Sequence, residues 1–258
     1  MTVWRRSRVY RVLRMMLVVV LFVAGTFSGY VSVRADEPVA TPVPDDLARS
    51  VTSSDPAVRY GAIEMLELSG NPAAVRALLN ELGNPDPAVG LYVAQALVEL
   101  SSPENLPIFR EAMRHPNPDV RWRAALVLGG LGDPRAIPAL SRALRDPEVL
   151  VQRTAAESLV EIGGPGAASA LTRVLGDSRP SLVNAAMNGL QQMGETAVTP
   201  LMIALYSEDA QTQHNAATVL GYIASPRAVP ALEYAAHDAE PEVQEEAKWA
   251  LEQIAKRK

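Results

Sequence analysis

The chain has 258 residues, 48% hydrophobic and only 5% aromatic, enough apolar side chain for one or two ordinary domains or one repeat array and too much for a disordered polypeptide. Six arginines and no acids fall within residues 1–35, so a formal charge of −5 for the whole becomes −11 for everything beyond; such a body repels phosphate backbones, no local basic stripe is expected on it, and no nucleic-acid partner is expected. The absence of cysteine excludes disulfides, thiolate metal ligands, cysteine nucleophiles and lipobox-type lipid anchors.

Residues 1–35 read as a targeting segment. A basic run from Arg5 to Arg14 precedes the apolar stretch MMLVVVLFVAG, Met15 to Gly25, and the chain stays mostly apolar to Val33. Two outcomes stay open: a signal peptide cleaved after Ala35 in Val33-Arg34-Ala35, or an N-terminal membrane anchor, since residues 15–33 are long enough to cross a hydrocarbon core. In both, the arginines hold the N-terminus in the cytoplasm and everything past Arg34 is expected to be extracytoplasmic: periplasmic, on the cell surface or secreted. Residues 36–44, DEPVATPVP, carry three prolines and form a semi-extended linker.

From residue 45 onward the chain repeats. Val58, Val89, Val120, Val151, Leu182, Thr212 and Val243 lie 30 or 31 residues apart. Four residues after each comes Ala62, Val93, Ala124, Ala155, Ala186, Ala216 or Ala247, and four further Leu66, Leu97, Leu128, Leu159, Leu190, Leu220 or Leu251. Offsets of 0, 4 and 8 draw one stripe on a helix. Asp55-Pro56, Asp86-Pro87, Asn117-Pro118 and Asp146-Pro147 supply an N-cap followed by proline at the first helical position. Gly70, Gly132, Gly163 and Gly194 are placed to end the helices in the left-handed region. A second, shorter apolar pattern lies between the stripes, beginning with a helix at residues 45–51. Each unit is a helix pair that cannot bury its stripe alone and must stack on its neighbours. The expectation is an all-α solenoid of about seven two-helix repeats over residues 45–258.

The blocks DPAVRYGA, NPDVRWRAALVLGGLGDPRAIPAL and SPRAVPAL resemble HEAT-like repeats of the phycobilisome-lyase type. The resemblance implies a right-handed α-α superhelix, with the second helix of each pair lining the concave side. It leaves function open, because that repeat serves chromophore lyases, the di-iron deoxyhypusine hydroxylase and many scaffolds. Deoxyhypusine hydroxylase-like proteins carry His-Glu pairs around iron. Here the histidines read His115-Pro116, His214-Asn215 and His237-Asp238, and all three are taken as solvated surface residues, so no metal, cofactor or catalytic residue is assigned. Ser53-Ser54 and Ser101-Ser102 are turn caps rather than nucleophiles.

What remains is the surface opposite the stripe, at offsets of two, six and nine from the repeat valine. Tyr60, Leu91, Val98, Trp122, Leu126, Arg153, Val160 and His214 fall there and form the candidate partner-binding groove, its apolar part in repeats one to four and its later part, repeats five to seven, offering amides and acids. Arg59 and Arg121 are expected to pair with carboxylates in adjacent turns. The favoured function is an extracytoplasmic scaffold or adaptor holding a protein or peptide partner in this groove, with membrane contact through residues 15–33 if they are retained. The alternative is an enzyme or enzyme accessory resembling the bilin lyase or deoxyhypusine hydroxylase type. Nothing in the sequence sets the oligomeric state.

Overall fold

The structure, a computed structural model, describes residues 43–238 and 240–257. The expected targeting segment and linker residues 36–42 lie outside the described residues. Fourteen α-helices and no strand are found among the described residues. The first, shorter helix of each pair is α1 (Asp45–Ser50), α3 (Pro72–Leu79), α5 (Leu106–Ala112), α7 (Ile137–Ala143), α9 (Gly164–Thr172), α11 (Glu195–Ala204) or α13 (Val229–Asp238). The second is α2 (Pro56–Ser69), α4 (Pro87–Leu100), α6 (Pro118–Leu131), α8 (Val149–Ile162), α10 (Pro180–Met193), α12 (Ala210–Ile223) or α14 (Pro241–Lys256). We call these the A and B helices.

The chain divides into two compact units, one ending at Glu81 and one running from Leu82 to the C-terminus. In the first, α1, α2 and α3 pack on one another; in the second, consecutive B helices pack side by side from α4 to α14, with the A helices layered against them. The stripe read from the sequence is the core: Val89, Val93, Leu97, Ala124, Leu128, Val151, Ala155, Leu159, Ala186, Leu190, Ala216, Leu220 and Ala247 are fully buried. Three members depart from it: Thr212 and Leu251 are half-buried, and Val58 is 44% exposed, since its nearest A helix, α1, has only six residues and buries none of them. Burying an entire leucine or valine side chain contributes about 1.5–3 kcal/mol, so the repeated column holds the array together.

Small residues let the B helices approach. A Cβ added at Gly129 would meet Ser158 and Glu161 of the next B helix, and one at Gly221 would meet the Trp249 ring. Ser158 Oγ donates to the Ala125 carbonyl at 2.8 Å, so this close contact also carries a buried hydrogen bond between helices.

The turn between A and B helices is built the same way in the first six pairs. The side chain two residues before the N-cap accepts from the N-cap backbone N–H: Ser53 from Asp55, Asn84 from Asp86, His115 from Asn117, Asp146 from Glu148, Asp177 from Arg179 and Ser207 from Asp209. Asp55, Asp86 and Asn117 cap their helices as expected, through the N–H of Ala57, Ala88 and Asp119. Asp146 does not. Its repeat register places the cap at Glu148, which makes no side-chain cap bond, and Asp146 occupies the preceding turn position. Of the terminating glycines, Gly70 and Gly132 are left-handed, while Gly163 and Gly194 have positive φ but extended ψ and lead directly into the next A helix.

Carbonyl oxygens exposed by the end of each A helix need donors, and the residue after the repeat valine supplies them. Arg59 Nε reaches the Ser53 carbonyl at 2.8 Å, Arg121 Nη1 that of His115 at 2.9 Å, Gln152 Nε2 that of Asp146 at 2.5 Å, and Gln213 Nε2 those of Ser207 at 2.8 Å and Leu205 at 3.2 Å. Arg59 therefore bonds a carbonyl rather than the carboxylate expected for it; Arg121 makes both kinds of contact, adding a two-point pair with Asp146 at 2.8 Å. Gly90 and Val183 hold the same position and cannot donate. There the next repeat reaches back: Arg123 Nη1 bonds the carbonyls of Leu82 at 2.5 Å and Asn84 at 3.3 Å, and Asn215 Nδ2 that of Leu175 at 2.7 Å. The guanidinium of Arg123, 1% exposed, fills the space over Gly90 that any side chain would need.

This exchange predicts that the effect of Gly90→Gln changes sign with its background. Arg123→Ala strips the donor from two turn carbonyls and should lose about 3 kcal/mol in chemical denaturation. Gly90→Gln alone should also destabilise, because Arg123 holds its space, yet added to Arg123→Ala it should restore about 1 kcal/mol by donating locally. A Gly90→Ala/Arg123→Ala chain controls for helix propensity; if it is as stable as the glutamine version, the donor account fails.

Candidate binding surface

The B helices present a ridge opposite their core stripe. Leu91, Arg153, Asn184 and Asn188 are exposed on it, and Trp122 and Leu126 are half-buried. Leu91 is 39% exposed, an apolar side chain open to contact. Trp122 is committed within the protein: its indole N–H donates to Asp119 at 3.0 Å and its ring lies under the Arg123 guanidinium at 4.9 Å. Arg153 faces Glu157 one turn on at 3.8 Å, an exposed pair of little energetic weight. Tyr60, half-buried, belongs to the first compact unit and is described with it.

Val98 and Val160 are stacking contacts. Each is half-buried, Val98 over the site where a Gly130 Cβ would stand and Val160 over that of Gly189 on the next B helix. A 3.6-residue period carries the exposed line from offset two through six to ten, and offset nine turns into the neighbouring helix. Offset ten brings out Tyr222, 51% exposed, whose ring meets Trp249 edge-on at 5.3 Å. The later repeats thus carry an aromatic pair beside the expected amides and acids.

His214 is not a fully solvated surface residue. It is half-buried, and its Nδ1 is buried without a hydrogen-bond partner among the described residues. His115 and His237 are exposed as expected, with Nδ1 of each held by local backbone. No group of three His, Asp or Glu side chains able to hold a metal is found among the described residues, and none of their helices is long and apolar enough to cross a membrane.

The A helices expose a second face that sequence order hides. Phe109, Leu140, Leu171, Leu201 and Leu232 are each fully buried and mark one register through α5, α7, α9, α11 and α13. Two residues after each stand Glu111, Arg142, Arg173, Ile203 and Tyr234, and five after each Arg114, Arg145, Gly176, Tyr206 and His237, all of them exposed; Arg114, Arg145, Arg173, Gly176 and Tyr206 sit in the turns just past their helices. Arg110, Arg114, Arg142 and Asp146 line a hollow together with Met113, Ala139 and Ala143. Ile203, Tyr206 and Tyr234 are 68%, 58% and 46% exposed, and the two tyrosine ring centroids lie 4.9 Å apart with the planes tilted by 36°. A local basic row exists after all, assembled from residues about 31 apart in sequence, ending in an apolar cluster.

Carboxylates flank that face and are held charged. Arg179 donates to both oxygens of Asp177 at 2.8 Å and, with Arg145 nearby, holds its pKa at about 2. Asp133, bonded by Arg135, is likewise lowered. Glu161 moves the other way, raised by burial and by Glu157, and burial pushes the Arg123 guanidinium below its ordinary range with Asp119 opposing. A depressed Asp177 contributes stability that is complete above its unfolded value, 3.8, and lost as pH falls through about 2. Asp177→Asn should therefore be less stable than the natural chain at neutral pH. The difference should shrink between about pH 4 and pH 2 in urea melts; a gap that stays constant over that range would remove the ion pair from the account.

A family model for HEAT repeats matches residues 45–117, 106–191 and 198–258. No curated protein sequence matches significantly. Among solved structures, the karyopherin Kap121p is similar with a TM-score of 0.54 and 14% identity over 86% of this chain, which spans 30% of that protein. The complex of CpcE and CpcF of phycocyanin lyase from Nostoc sp. gives 0.42 and 24%, covering 89% of this chain and 93% of that one. Human deoxyhypusine hydroxylase gives 0.38 and 21%, covering 82% and 96%. The karyopherin likeness supports the helical stack as a fold; the two enzymes superpose too loosely to bear on chemistry. With family matches running through nearly all of the described helices, and one register kept by all seven B helices, the chain belongs to the HEAT-repeat family.

Proposed function

We propose that the chain is a non-enzymatic scaffold that binds a protein or peptide partner along the ridge of its B helices, outside the cytoplasm. The observation that carries this reading is the ridge itself. Asn184 and Asn188 stand exposed one turn apart on α10, with Leu91 on α4 toward one end and Tyr222 with Trp249 toward the other. A carboxamide both donates and accepts, so such a row matches the backbone of an extended segment, and the apolar ends would take side chains. Kap121p, similar to this chain in fold, was solved bound to the extreme C-terminus of the protein phosphatase Cdc14p.

A photo-crosslinking residue placed at Asn188 should capture a discrete partner in cells, and the same group at exposed Glu104 should not. Leu91→Glu together with Asn184→Ala should reduce that capture at least tenfold with a melting temperature within about 2 °C of the natural chain, since both side chains are exposed. Capture unchanged by the two substitutions would exclude the ridge.

The extracytoplasmic assignment rests on the arginine run from Arg5 to Arg14 ahead of the apolar residues 15–33. Protease added to intact cells with a permeabilised outer layer should digest residues beyond 45, and intact mass should report either cleavage after Ala35 or a retained anchor. Protection of the whole chain until the inner membrane is broken would reverse the assignment.

A further inference from the structure

We infer that the A-helix face from α5 to α13 is a docking surface for an anionic phospholipid bilayer. Two columns of side chains at fixed offsets from the buried Phe109, Leu140, Leu171, Leu201 and Leu232 define it. Arg142 and Arg173 in the first column, Arg114 and Arg145 in the second, all exposed, give way in the next two repeats to Ile203, Tyr234 and Tyr206. Arg114 is shared with Glu111 in an exposed pair at 2.9 Å, which solvent screens. Glu208 and Glu233 border the aromatic end and set its limit.

The order of these groups selects the occupant. A nucleic acid would be met by continuous positive charge, yet here the basic row stops at an aliphatic and aromatic cluster with Glu208 and Glu233 beside it. A bilayer surface offers both chemistries at adjoining depths. Guanidinium forks engage lipid phosphates, tyrosine rings settle at headgroup level, and Ile203, the most exposed of the large apolar side chains, enters the acyl boundary. The surface works with residues 15–33 cleaved or retained and makes no use of the B-helix ridge, which stays free for a partner.

The chain lacks cysteine, so single labels are clean. Full-length protein carrying Ile203→Cys with an environment-sensitive fluorophore is mixed with phosphatidylcholine vesicles, with and without about a third phosphatidylglycerol. A label at Asn188→Cys on the opposite ridge reports any general association. Docking predicts a blue shift and intensity gain at position 203 only, requiring the anionic lipid and fading with salt. Arg142→Glu with Arg173→Glu should weaken that response roughly tenfold, and Arg142→Gln with Arg173→Gln by less, at unchanged helicity. Equal responses at 203 and 188, or a response at 203 indifferent to lipid charge or to the arginine changes, would overturn the inference.

Discussion

Every A helix ends in carbonyl oxygens that its own hydrogen-bond ladder cannot reach, and the array depends on how those oxygens are paired. A HEAT-type pair has a short first helix, so this terminal turn is a large part of each repeat. Here one side chain after the B-helix valine answers it in four repeats, Arg59, Arg121, Gln152 and Gln213, each from a position six residues past the carbonyl it bonds. The donor sits beside the buried stripe, so pairing the turn and seating the B helix in the core are one event. Asp146 ties this system to the neighbouring repeat by gripping Arg121, and the exposure of both side chains is near a tenth, where such a two-point pair keeps its strength.

That constraint separates two kinds of surface. The B-helix ridge is spaced by the stripe on its own helix, so its residues are set by intrahelical geometry. The A-helix face is spaced by stacking alone, one residue or two from each short helix. Its character changes along the array, from arginine in repeats three to five to isoleucine and tyrosine in repeats six and seven.

How much of this was legible follows from the same distinction. The B helices were, because their signal is long and periodic: the 14-residue spans from α2 to α12 begin 31, 31, 31, 31 and 30 residues apart, as the spacing of Val58 to Thr212 requires. Asp146-Pro147 misled because the dipeptide mimics a cap while the register, counted back from Val151, points to Glu148. Val98 and Val160 misled because an offset of nine lies at the edge of the exposed arc, where the neighbouring helix decides burial. The arginine row was invisible since no helix carries more than two of its members. At Ala224 a left-handed residue closes α12 although no glycine announces it, the following Ser225 having already opened the next turn. Of the candidate groove, Leu91 and Arg153 stand on the surface, while Trp122 and His214 are drawn into the fold.

The donors that cross between repeats bear on how such an array can be cut and rejoined. Where a repeat answers its own turn, those carbonyls need no neighbour, although side chains still cross between repeats three and four through Arg121 with Asp146 and Ser158 with Ala125. Repeat two, with Gly90, and repeat five, with Val183, are completed only by Arg123 and Asn215 of their successors. In the pairing of its turns the array is therefore a string with two fused joints, and recombination that kept those bonds would have to move repeats two and three, and five and six, as couples.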